Sequence, residues 1–157
     1  MSGRPTTEIR PVFGPDTLLF GIGNCSRSDD GLGWAFLDRV LQGADFPGQS
    51  EYRYQLGVED AALVARADRV IFVDSYNGPL EDGYAWQPCE ASDEFEFTSH
   101  VLPPRAVMHY CRDLYAKHPP ADILMISGEC WDLQNGLSEA AGKNLEKAIN
   151  FFRAMMA

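Results

Sequence analysis

Three short apolar runs constrain this chain more than any other feature. Residues 17–22 read TLLFGI, 69–74 read RVIFVD, and 122–127 read DILMIS. Runs of this length, rich in β-branched and aromatic residues and stopped by glycine, aspartate or serine, form strands buried on both faces. The segments between them carry helical spacing. In 31–41, Leu32, Phe36, Leu37, Val40 and Leu41 fall on one face. Residues 59–67 (EDAALVARA) are rich in helix formers. Residues 103–116 open on two prolines, which a first helical turn tolerates. Ser138 can cap a last helix whose apolar face holds Leu145, Ile149, Phe152 and Met156. Residues 51–56 alternate, which predicts a further strand with Tyr52, Tyr54 and Leu56 on one side. Residues 84–89 predict a shorter strand, and Pro88 marks it as an edge. Strands that alternate with helices imply right-handed crossovers. The expected fold is therefore α/β: a three-layer sandwich with a mostly parallel, twisted sheet and helices on both faces. Residues 1–15 read as a loose lead-in, and 16–157 as one domain without repeats or a linker.

Charge narrows the function. The formal net charge is -10. Binding to phosphate backbones or to an anionic bilayer requires a basic face, so neither nucleic acid nor a membrane is an expected partner. The excess acid fits a basic partner or a site that holds a cation, and it also keeps a small protein soluble. Cys25, Cys89, Cys111 and Cys130 form no C-x-x-C pair, which argues against a zinc ribbon or a thioredoxin-type site. Scattered thiols fit a reducing compartment. The N-terminal segment does not read as a secretory signal, and no apolar run approaches membrane-spanning length. A cytoplasmic protein is expected, acting as a monomer.

In a parallel sheet the active crevice lies outside the carboxyl ends of the strands. The segments that reach it are 23–30, 75–78, 128–135 and the stretch 97–102 ahead of a helix. The first follows a glycine-rich turn, GIGNCSRSDDGLG, which at first suggests a dinucleotide fingerprint. The third glycine of that pattern is replaced by Ser26, and Asp29 and Asp30 stand where a pyrophosphate wants bare amides. Helix capping needs one of these aspartates and leaves the other for the crevice. Asp74 closes the strand VIFVD. It is either a turn-forming aspartate or a crevice carboxylate. His100 lies a few residues before a helix start, whereas His109 falls inside that helix and His118 near its end. Two carboxylates and an imidazole suit nickel, zinc or manganese, and leave coordination positions open. Cys25 shares an acidic loop, which disfavours a thiolate nucleophile.

These segments resemble the hydrogenase maturation proteases. LLFGIGNCSRSDDGLG looks like their opening strand and acidic loop, and RVIFVDSYNG like their central strand with its terminal aspartate. FTSHVLPPRAV is similar to their histidine loop, and DILMISGECWDLQNGLSEA to their last strand and the start of the C-terminal helix. YQLGVEDAALVARAD is similar to relatives that serve soluble, cofactor-linked hydrogenases. Here Val58 takes a common proline position, and Asp60 adds a carboxylate near the crevice. The resemblance implies an endopeptidase of aspartyl type. Its substrate would be the precursor of a nickel–iron hydrogenase large subunit, from which it removes a C-terminal peptide and so activates the hydrogenase. The metal set it implies is Asp30, Asp74 and His100, with Asp30 and Asp74 also catalytic candidates. Nickel would come with the substrate, and zinc or cadmium could occupy the same ligands. A non-catalytic sensor or chaperone of nickel loading is the competing reading. A nucleotide-binding domain is the third.

Overall fold

The computed structural model describes residues 12–94 and 102–156. Within them the chain forms five strands and four helices around one sheet. The elements are β1 (Thr17–Ile22), α1 (Leu32–Gln42), β2 (Gln49–Arg53), α2 (Asp60–Ala65), β3 (Arg69–Asn77), β4 (Tyr84–Pro88), α3 (Pro104–Tyr115), β5 (Ala121–Gly128) and α4 (Glu139–Met156). A 3-10 turn, Ser28–Gly31, leads into α1. The sheet order is β2-β1-β3-β5-β4. All neighbours pair in parallel except β4, which runs antiparallel along β5. This is the expected three-layer α/β sandwich, with β4 on the expected edge.

Alternation along the central strands divides the core between two helical layers. Leu19, Ile71, Val73, Leu124 and Ile126 pack with α1 and α4 through Phe36, Leu37, Leu145, Ile149 and Phe152. Leu18, Phe20, Ile22, Val70 and Phe72 face α2 and α3 through Val64, Val107, Met108 and Cys111. Each large side chain removed from water here contributes about 1.5–3 kcal/mol. Ser138 caps α4 as expected, its hydroxyl accepting the amide of Ala141 at 3.2 Å.

Two expectations fail. The second strand lies at Gln49–Arg53 rather than 51–56. Its alternation does not continue: Leu56 is buried, while Tyr54 is 66% exposed. Leu56 has left the ladder and makes an isolated antiparallel bridge to Leu102. The central strand also does not stop at Asp74. It runs on to Asn77, because β5 continues beside it to Gly128.

Two glycines of the first loop are fixed by sterics. Gly23 holds φ +144°, and a Cβ there would lie 1.9 Å from the carbonyl oxygen of Asp30. At Gly33 a Cβ would come within 2.7 Å of backbone atoms of both Ile22 and Val73. The glycine pattern that resembled a phosphate loop therefore serves a tight turn and the seating of α1 on β1 and β3.

Candidate functional site: a carboxylate pair at the switch point

From β1 the chain crosses to β2 on one side, while β3 lies on the other. The sheet order reverses between β1 and β3, and a crevice opens there at the carboxyl edge. Gly23 steers the chain after β1 away from β3, its amide bonding to the carbonyl of Arg53 at 2.9 Å. The loop then returns, with Asn24 N–H donating to the carbonyl of Asp30 at 3.0 Å. This brings Asp30 beside β3.

Asp30 and Asp74 meet through Ser75. The Ser75 hydroxyl donates to Asp30 Oδ1 at 3.4 Å, and the Ser75 amide donates to Asp74 Oδ1 at 2.8 Å. Both carboxylates are half-buried. Burial pushes the Asp74 carboxyl up to about 7; the negative charge of Asp30 adds to the rise, and the bonds from Ser75 oppose it. Among the described residues, the carboxylate pair has no cationic partner. It can share a proton, activate water, or bind a cation.

Asp29 faces elsewhere. Neither it nor Asp30 caps α1, whose N-cap Gly31 receives no side-chain bond. Asp29 is fully buried. It accepts the amides of Glu129, Cys130 and Ser138 at 2.8, 2.9 and 2.7 Å, and the Ser138 hydroxyl at 2.7 Å. Burial raises its pKa, but these bonds outweigh burial and hold it below the usual value. The turn is further tied to the β5–α4 loop by Ser28 N–H to Gln134 O and Ser28 Oγ to Asp132 O, both 2.9 Å. Asp60 is equally committed. It is buried, accepting Arg53 Nε at 3.0 Å and the Gly57 amide at 2.9 Å. Its carboxylate is thus held by Arg53 at the end of β2 and by the Gly57 amide.

His100 lies outside the described residues. The nearest described neighbour in sequence, Leu102, bridges to Leu56 just beyond the end of β2. Among the described residues, no group of three or more histidine, cysteine, aspartate or glutamate side chains is gathered closely enough to hold a metal ion. Sequence reasoning missed Ser75, which links the two carboxylates, and the role of Asp29. A serine after a strand-end aspartate carries no distinguishing pattern. The D-D pair gave the only hint at Asp29.

The fold and the site define a parallel α/β domain with an acidic crevice at its topological switch point. Solved structures similar to it include hydrogenase maturation proteases. The maturation protease HycI from Thermococcus kodakarensis superposes with a TM-score of 0.69 at 19% identity, over 89% of this chain and 91% of that one. The maturating endopeptidase HybD from E. coli gives 0.70 at 16%, over 88% and 90%. The endopeptidase HycI from Escherichia coli gives 0.68 at 14%, over 90% and 91%. The chain shares the fold of these enzymes along most of its length. No protein-family model and no curated protein sequence matches it. Among the described residues, no helix is long and apolar enough to cross a membrane.

Proposed function

We propose that this protein is a metal-gated endopeptidase that removes a C-terminal peptide from the nickel-loaded precursor of a nickel–iron hydrogenase large subunit. The observation that carries the reading is the Asp30–Ser75–Asp74 cluster, placed at the switch point of a fold shared with hydrogenase maturation proteases. Asp30, Asp74 and His100 supply ligands from the protease side to nickel that the substrate already carries. Zinc or cadmium could bind the same oxygen and nitrogen donors. Correct loading of the substrate thereby becomes the condition for cleavage. Docked nickel offers a Lewis acid for the scissile carbonyl or for a water. The chain's own contribution is the carboxylate pair, which orients that water and can take its proton. We place the enzyme in the cytoplasm as a monomer. Its four cysteines are free thiols, as a reducing compartment would keep them.

The test is to incubate the purified protein with the precursor in nickel-loaded and nickel-free forms and to follow the mass of each. The expected result is loss of a C-terminal peptide from the loaded form alone. Cleavage of the nickel-free precursor, or of casein, would exclude metal gating. Binding of the loaded precursor without any mass loss would favour a non-catalytic sensor.

A further inference from the structure

The register of β3 shows a vacant place in the sheet beside the carboxylate pair. Its last partner on β1 is Val73, opposite Gly21. On the other side it stays paired with β5 as far as Asn77, opposite Gly128. Among the described residues, Asp74 to Asn77 therefore have a strand neighbour on one edge only. The cause is local: Gly23 turns the chain after β1 toward Arg53 and away from β3.

Backbone direction alternates along a strand. Val70 N–H points toward the β5 side, where it bonds to Pro120 O at 3.0 Å. Even-numbered residues of β3 thus serve β5, and Ser75 and Asn77 turn their amide and carbonyl groups toward the place β1 has left. The Ser75 amide is taken by Asp74 Oδ1. The Ser75 carbonyl and the Asn77 amide and carbonyl face the crevice, and both Tyr76 and Asn77 are exposed. A cavity of about 480 Å³ begins where this edge ends. Asn77, Gly78, Ser127, Gly128, Asn144 and Lys147 line part of it.

We propose that this overhang of β3 is the substrate-binding edge. An extended segment of the precursor, running across its scissile bond, adds to the sheet as a short strand along Ser75 to Asn77. Its continuation past Asn77 occupies the adjoining cavity. Three features fix the occupant as extended peptide. The unpaired groups are backbone groups at strand spacing, which an extended chain matches. They lie inside the switch-point crevice rather than on an outer edge. The carboxylate pair adjoins them at Ser75, so a peptide bond held there is presented to Asp30 and Asp74. This deepens the protease reading and rests on it.

The experiment measures amide exchange during turnover of a saturating excess of nickel-loaded large-subunit precursor. It is paired with the kinetics of Asn77→Pro and Asn77→Ala. The proline removes one N–H on the crevice side and leaves the β5 ladder intact; the alanine keeps that N–H. Exchange of the Asn77 amide, the crevice-side N–H that a new strand would take up, should slow at least about tenfold in the complex. Asn77→Pro should lose at least about ten times more kcat/KM than Asn77→Ala. Cleavage by the wild type with unchanged exchange at the Asn77 amide would overturn the binding edge and leave the protease reading standing. A wild type that neither binds nor cleaves the precursor would overturn that reading, and the occupant proposed here with it. If Asn77→Pro does not fold, exchange in the wild type decides.

Discussion

Asp29 and Asp74 both lie at the carboxyl edge of the sheet and both lose solvent there, yet their chemistry diverges. Asp29 receives three amides and one hydroxyl, and its pKa falls below the ordinary value despite full burial. Asp74 receives the Ser75 amide, faces the charge of Asp30, and is pushed up to about 7. Burial raises both; at Asp29 the donors outweigh it, whereas at Asp74 burial prevails and the charge of Asp30 adds to it. A carboxylate whose demand is met inside the protein holds loops together. One whose demand is unmet is available to a proton, a water or a cation.

The strongest challenge to this contrast is to delete the satisfied carboxylate. Asp29→Ala leaves part-buried donors from Glu129, Cys130 and Ser138 without an acceptor. It should cost about 3–5 kcal/mol in urea unfolding, since each buried unsatisfied donor costs about 1–3 kcal/mol. A loss below about 1 kcal/mol would mean that the β5–α4 loop is not held by Asp29.

The unmet carboxylate should behave in the opposite way. Asp74→Asn should lower nickel-dependent cleavage at least about a hundredfold, equivalent to about 2.7 kcal/mol of transition-state stabilisation. Single-turnover assays on the loaded precursor would measure it, and cleavage within a factor of about three of wild type would remove Asp74 from the site.

The same substitution should also stabilise the fold, with a defined pH dependence. The folded-state pKa of Asp74 is raised, to about 7 from 3.8. Below pH 4 the carboxyl is protonated in both the folded and unfolded states, so the variant gains nothing. As pH climbs through 7 the wild type loses the stability conferred by the proton, and the Asp74→Asn variant, whose amide does not titrate, keeps its own. The gain should grow between pH 4 and 7 and then level off, on the order of 4 kcal/mol. Chelator-treated samples followed by thermal melting would show it. A constant difference across that range would refute the raised pKa.

The smallest effect belongs to the bridging hydroxyl. Ser75→Ala removes a 3.4 Å bond to Asp30 and leaves the backbone amide of that position on Asp74. It should change stability by less than about 1 kcal/mol and cleavage by less than about fivefold. A loss as large as that of Asp74→Asn would make the hydroxyl a partner in the chemistry rather than a spacer.

Most of the scaffold was legible because it depends on local pattern. The runs at 17–22, 69–74 and 122–127 are predominantly apolar, and they became β1, β3 and β5 at the centre of the sheet. Pro88 placed β4 on an edge, where its missing N–H does no harm. The alternation after Glu51 misled, since Tyr54 packs near Trp34 at 5.0 Å between ring centroids rather than extending β2. The site was legible as a set of residue types at strand ends, and Asp30 and Asp74 do meet there. The fate of each aspartate was not legible. Asp29 and Asp30 are chemically identical neighbours, and the donors that separate them come from residues about a hundred positions further along the chain.

By itself, then, the sequence determined the layers, the buried strands, the edge and the acidic character of the crevice, because hydrophobic period and turn chemistry act over a few residues at a time. Only the tertiary structure decided which carboxylate is quenched and which is left unmet. It alone also decided that β3 outruns β1 by the stretch from Asp74 to Asn77. Both depend on where distant backbone groups end, and hydrogen-bond supply at a point in space is not written in the residues that need it.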